Sequence, residues 1–599
     1  MENNRQLMKS LWHFISPYRF KFSLSVICTI VLCLSNVLEP IVLGLAITEI
    51  SKNVLDIMNN VPGAGINYDY LLKIMALYFL RGIFYHGSFY LSQYWLTDVV
   101  QHSIYDLRNA ISHKANRLPV SYFDKNQTGD ILSRMTNDVD TLSNALQQSV
   151  LPLLTGVLQI SFALISMFIL HWKLALVSVI SMPITYLSAK TILNYSQPIF
   201  KKQADALGHL FGYTQEQLSG YTEIKVYNKE NESVDEFEKR NQNLQEVGFK
   251  AAFLAEILQP ILSFISNLAY IVITGLGAYF VFIQQLTIGN LQAFVQYVWQ
   301  INQPIQTITQ LIGVIQSAVA ASQRIFTFLG EEEVYQKPVA EHLPLTIKGQ
   351  ISFDHVKFAY DEDNILMHDV SFTVEPGQTV AIVGPTGAGK TTLINLLMRF
   401  YDVLDGSINI DGINIKDISR HDLRSHIGMV LQDAWLYTDT IRENIRLGDL
   451  EASDYEVIDA AKIANVDHFI RTLPGGYDME INEEGSNVSL GQKQLMTIAR
   501  AIVSDPDILI LDEATSSVDT RLEQLIQSAM DRIMENRTSF VIAHRLSTIR
   551  NADIILVMKN GDIIEHGNHD SLMAKDGFYA DLYNSQFNQE SAAEIHMGY

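Results

Sequence analysis

From Ile257 to Gln323 the chain carries no Asp, Glu, Lys or Arg. A charge-free block of that length crosses ~30 Å of hydrocarbon twice, at about 20 residues per helical pass. The polar stretch QQLTIGN at 284–290, with Gly289 inside it, is the expected turn between the two passes. Residues 22–38 are also uncharged and continue past a single Glu39 to Thr48. That run is longer than a leader peptide's apolar region, is followed by others, and comes after Arg5, Lys9, Arg19 and Lys21, so it reads as a retained first span. Nearly uncharged stretches follow at 74–98, interrupted by Arg81, and at 147–170 and 174–195. Six spans are therefore predicted: 22–48, 74–98, 147–170, 174–195, 257–283 and 290–316.

The connecting segments fix the expected orientation. Arg108, Lys114, Arg117, Lys125 and Arg134 lie in one long connection, and Lys201, Lys202, Lys225, Lys229, Lys239, Arg240 and Lys250 in another. The 49–70 loop holds only Lys52, the 171–173 turn only Lys173, and the 284–290 turn no basic residue. Basic loops stay on the cytoplasmic side, which places both termini there, in a multi-pass protein of the cell membrane. The long connections contain little Pro or Gly, so the membrane helices are expected to continue into the cytosol. Lys+Arg 43 against Asp+Glu 65 leaves a net charge of −22, which argues against a nucleic-acid partner. Charged residues are 18% and hydrophobic ones 48%, which excludes a disordered chain. Cys28 and Cys33, both in the first apolar run, offer neither a disulfide framework nor a zinc site.

After Arg324 the character changes. The acidic stretch GEEEVYQKPVAEHLP at 330–344, with two prolines, marks a linker. The predicted division is a membrane domain over 1–328, a linker over 329–348, a soluble domain over 349–587 and a tail over 588–599. In the soluble part, β-branched runs such as TVAIVG (379–384) and DILILD (507–512) alternate with helical stretches such as TTLINLLMRF (391–400), the pattern of an α/β domain.

Between the first strand and the first helix of that list stands Gly384-Pro385-Thr386-Gly387-Ala388-Gly389-Lys390-Thr391-Thr392, a phosphate-binding loop in its expected strand-to-helix setting. Its glycines let backbone N–H groups of Thr386 through Ala388 and beyond curl around a phosphate at a helix N-terminus. Lys390 supplies a positive charge to the outer phosphates, and the Thr391 hydroxyl suits Mg2+. The run ILILDE (508–513) ends in two carboxylates. Asp512 is placed to hold the magnesium shell and Glu513 to activate the attacking water. The cofactors implied are ATP and Mg2+.

With these motifs the soluble domain resembles the nucleotide-binding domain of ABC transporters, and with six upstream spans the whole chain resembles an ABC exporter half-transporter of the type IV fold. The resemblance implies roles for further residues. Tyr360, in VKFAY, matches the aromatic that stacks on adenine; Gln432, in IGMVLQDAWLY, matches the glutamine that senses magnesium and the membrane domain; His544, in IAHRLST, matches the histidine that contacts the γ-phosphate. Asp519, in SSVD, and Glu483, in INEEGSN, match dimer-contacting positions. The signature segment reads Val488-Ser489-Leu490-Gly491-Gln492. Ser489, Gly491 and Gln492 agree with the family pattern, whereas Leu490 replaces a glycine of the segment that clamps ATP bound to the other subunit. In heterodimeric multidrug exporters of this family one subunit keeps the catalytic glutamate and carries an altered signature, and this chain fits that role. A homodimer that tolerates the leucine is the alternative. SYFDKNQTGDILSRMTNDVD (121–140) and QLSGYTEIKVY (217–227) resemble the two cytosolic loops that dock on nucleotide domains.

The cargo is less legible. Glu39, beside Pro40 inside the first span, is either a site for cationic amphiphiles or the partner of a residue such as Arg81 or His86. Gln296, Gln300 and Gln303 share one helical face, and either line a substrate cavity or join helices. The expected function is ATP-driven export of amphipathic drugs or other xenobiotics. A lipid or peptide translocator of the same fold, and a non-transporting ATP-dependent sensor or channel, are the other classes.

Overall fold

The computed structural model describes residues 2–334, 342–344, 346–361, 364–431, 434–482, 485, 487–512, 520–543 and 546–585. They fall into two units, one comprising Met1–Arg117 and Asn126–Glu331, the other Leu118–Lys125 and Glu332–Tyr599.

The first unit is helical. Its long helices are α1 (Arg19–Met58), α2 (Tyr68–Ala115), a continuous stretch Val139–Ser219, α5 (Glu230–Phe282) and α6 (Ile288–Gly330). The stretch Val139–Ser219 breaks at His171, whose φ of −163° and ψ of 102° are extended, giving α3 (139–170) and α4 (172–219). The break falls where the short 171–173 turn is expected. Among the described residues, four stretches are long and apolar enough to cross a membrane: Arg5–Met58, Thr128–Ile180, Ser263–Phe282 and Leu311–Gly330. Helix α2 contains none, because Arg81, His86, Gln93 and several tyrosines dilute its apolar residues. With 48 residues at ~1.5 Å each, α2 also greatly exceeds the hydrocarbon thickness. Prolines 40, 152, 183, 198, 260 and 304 all lie within helices, as membrane helices allow when neighbours satisfy the freed carbonyls.

Gly289 is not the expected turn residue. The chain turns just before it, Thr287 caps α6 by accepting from Asn290 N at 3.1 Å, and Gly289 lies in the first helical turn. There it lets α6 meet α1, for a Cβ on Gly289 would lie 1.8 Å from Gly44 O and 2.3 Å from Thr48 Oγ1. Close approach of this kind is what small residues supply where helices meet in lipid. Gly289→Ala is expected to destabilise the protein by about 1–3 kcal/mol through overpacking, read as a lower unfolding temperature in detergent. An unchanged temperature would contradict this crossing. Deeper in the same helix Phe294, Tyr297 and Ile301 are buried with Ala163, Met167 and Ile273, and Tyr297 OH donates to Val37 O at 2.7 Å. At the other end Arg324 pairs with the buried Asp138, tying α6 to the π-helical turn Arg134–Asp138.

The second unit contains β1 (Ile351–Asp361), β2 (Asn364–Val374), β3 (Thr379–Val383), α7 (Lys390–Leu397), β4 (Asp405–Ile410), β5 (Ile413–Asn414), β6 (Ile427–Val430), α8 (Leu490–Val503), β7 (Ile508–Asp512), β8 (Thr538–Ile542), β9 (Ile554–Lys559) and β10 (Asp562–Gly567). A four-stranded antiparallel sheet has the order β2-β1-β4-β5, and a six-stranded sheet the order β10-β9-β3-β8-β7-β6. Its strands are parallel except for β10. Alternate residues of the large sheet enter two separate cores. Val383, Leu509, Leu511, Val541 and Val557 point to one, and Ile382, Ile508, Ile510, Phe540 and Leu556 to the other. Burial on both faces explains why these strands read as unbroken apolar runs rather than as alternating ones. Each such side chain contributes about 1.5–3 kcal/mol on transfer from water.

Candidate functional site

Strand order brings the nucleotide motifs together. Adjacent parallel strands β3, β8 and β7 end at Val383, Ile542 and Asp512, so their carboxyl ends form one edge, where ligands of open α/β sheets bind. The phosphate loop leaves β3 there. Gly389, at φ +97°, caps α7 in a left-handed conformation that a side chain would strain. At Gly384 a Cβ would lie 2.3 Å from Met558 O, so the loop requires glycine for space as well. Thr386, Gly387 and Thr391 are exposed, while Ala388 and Thr392 are buried.

Lys390 Nζ donates to Gly384 O at 2.7 Å and Pro385 O at 3.1 Å. Burial lowers its pKa from the ordinary lysine value, and the carboxylate of Asp512 acts in the opposite direction. A partly desolvated ammonium at the N-terminus of α7 suits the outer phosphates of a nucleotide.

Tyr360 stands beside the loop, its OH 2.9 Å from Thr392 Oγ1. Its ring is 41% exposed and packs edge-to-face on Phe358 at 4.9 Å and on Tyr401 at 5.0 Å, which leaves an aromatic face for a base. Tyr401 carries no sequence signal, yet its OH donates to Asp124 in the short helix Val120–Lys125, which belongs to this same unit. Burial, together with the Asp124 carboxylate, pushes the Tyr401 phenol up. Lys125 Nζ also lies 3.2 Å from Asp361.

Ser489 caps α8. Its hydroxyl accepts from Gln492 N at 3.4 Å, and the Gln492 side chain accepts from Ser489 N at 2.8 Å. Leu490 is the first residue of the helix and 45% exposed, whereas Gly491 is buried. Glu513, His544, Gln432, Glu483 and Asp519 lie outside the described residues.

The family models decide the matter: "ABC transporter transmembrane region" matches residues 22–305 and "ABC transporter" matches 367–516. The chain is a type IV ABC exporter half-transporter. The half-transporter is 44% identical over 522 residues to the "Fatty acid ABC transporter ATP-binding/permease protein" of Mycobacterium bovis, a match covering 87% of this chain and 82% of that one. It is 34% identical over 587 residues to the "Putative multidrug export ATP-binding/permease protein YgaD" of Bacillus subtilis, covering 97% and 99%. A solved bacterial Atm1-family ABC exporter with ATP bound superposes with a TM-score of 0.76 at 28% identity, over 94% of this chain and 98% of that one. The half-transporter is thus a multi-pass membrane protein that binds ATP and couples its hydrolysis to export.

In its membrane unit Glu39 is paired. Arg81 donates to Glu39 Oε2 at 2.8 Å, and Tyr78 OH to Glu39 Oε1 at 2.9 Å. Of the two partners foreseen, Arg81 is the one found, and Tyr78 was missed because a tyrosine in an apolar run carries no signal of its own. The side chain of Arg81 is only 10% exposed, so Glu39→Gln leaves a buried cation without its counter-charge. A loss of about 2 kcal/mol is expected, measured by thermal unfolding, with transport of cationic and neutral probes falling together. Unchanged stability with a loss confined to cations would instead make Glu39 a cargo contact. Gln300 Nε2 donates to Asn36 O at 3.2 Å, a helix-joining contact, while Gln303 faces a cavity and Gln296 is half-buried.

Proposed function

We propose that this half-transporter exports amphipathic drugs or other xenobiotics across the cell membrane by alternating access, as one half of a heterodimer, with both termini and the nucleotide domain in the cytosol. In this reading Lys390 and the loop from Gly384 to Thr392 hold the ATP phosphates and Tyr360 stacks on the adenine. The oxygens of Thr391 and Asp512 suit Mg2+, a hard cation that takes one or two protein ligands beside phosphate oxygens. Gln432 adds a further contact to that shell, Glu513 accepts the proton of the attacking water, and His544 contacts the γ-phosphate. Asp519 and Glu483 meet the partner. Closure of two nucleotide domains then moves the membrane helices as rigid bodies.

The observation that carries the heterodimer is Leu490. Its exposed side chain stands at the helix N-terminus that covers the partner's ATP, adding bulk where a glycine would let a phosphate approach the backbone. Native mass spectrometry of this chain, purified alone and co-expressed with a second half-transporter of the same organism that carries the family's usual signature, tests this. A stable, ATP-hydrolysing species is expected only from the mixed pair; an active dimer of this chain alone would overturn it. A lipid cargo is the second reading, favoured by the 44% identity to a relative named for fatty acids.

A further inference from the structure

The membrane unit has a partly open cavity of about 260 Å3 between α1, α2, α3 and α6. Its walls include the rings of Tyr85 and Phe89 and the side chains of Asn36, Gln93, Gln159 and Gln303, and among the described residues no Asp, Glu, Lys or Arg lines it. Gln159 is only 7% exposed, and no hydrogen bond to its amide is found among the described residues. An unpaired amide on a cavity wall retains its capacity to donate and accept. A charged pair stands behind this wall. Arg81, 5.7 Å from the Tyr85 ring centroid, is bonded to Glu39, and Glu39 also to Tyr78.

We propose that this cavity binds the uncharged polar head of an amphiphile, an amide, carbonyl or hydroxyl beside an apolar body, and selects against cations and carboxylates. The assignment rests on the export reading and narrows its cargo. A charged head entering here loses its hydration and meets no free counter-charge, whereas a neutral head exchanges water for the amides of Gln159, Gln93 and Gln303. Tyr85 and Phe89 give the apolar body aromatic faces.

Three fluorescent probes with one C12 chain, ending in a primary amide, an ammonium or a carboxylate, separate the possibilities by equilibrium binding to the full-length transporter in nanodiscs of neutral lipid. The amide is expected to bind at least about tenfold tighter than either charged probe. Gln159→Leu should weaken the amide about fivefold without moving the charged probes, and Gln303→Glu should turn the preference toward the ammonium. The wild-type comparison needs no variant to fold. Equal or tighter binding of a charged probe, or amide binding indifferent to both variants, overturns the assignment. If the amide binds as expected but ATP drives no movement of it, the export reading fails and the site stands; if ATP drives the charged probes while the amide does not bind, the reverse holds.

Discussion

Replacing Glu513 with glutamine is expected to lower steady-state ATPase turnover roughly 100- to 10,000-fold, the contribution of a positioned general base, while ATP still binds. The backbone supports this. Strand β7 delivers Asp512 to the sheet edge from which the phosphate loop departs, and Glu513 is the next residue. Glutamine keeps the size and one oxygen of the side chain but cannot take a proton from water. Binding of a fluorescent ATP analogue and phosphate release, measured on one preparation, separate the two effects. Turnover near that of the parent protein would remove Glu513 from catalysis, and loss of binding would make it a structural residue.

Lys390→Ala should act on the other step. Its ammonium is partly desolvated, with carbonyls of Gly384 and Pro385 as its nearest acceptors. Phosphate oxygens are stronger, charged acceptors. Losing charge-assisted bonds worth about 1.5–3 kcal/mol corresponds to roughly 10- to 100-fold weaker ATP binding. Hydrolysis should then recover in part at high ATP, as it should not for Glu513→Gln. Unaltered affinity would contradict the placement of Lys390 on the phosphates.

The features legible in the sequence are those written locally. A charge-free block forces helices into lipid, and β-branched runs bounded by glycines become strands buried on both faces. The strand-loop-helix of residues 379–397 was visible because its glycines, lysine and threonines are contiguous. Contacts between distant segments were not. Gly289 lies in a polar stretch and reads as a turn until the backbone of Gly44 is seen against it. Tyr401 and Asp124 are 277 residues apart, and no spacing rule joins them. Gln159 is one amide in an apolar run, and only the packing of four helices makes it a cavity wall. For Glu39 the sequence left cargo site and ion pair open, and the bonds to Arg81 and Tyr78 favour the pair.

The most direct measurement is uptake of an amphipathic fluorescent probe into inside-out membrane vesicles containing this chain and its co-expressed partner, with and without ATP. ATP-dependent accumulation that is blocked by vanadate and absent with Glu513→Gln is the expected result. Accumulation indifferent to ATP, or undiminished with Glu513→Gln, would contradict export driven from this nucleotide site.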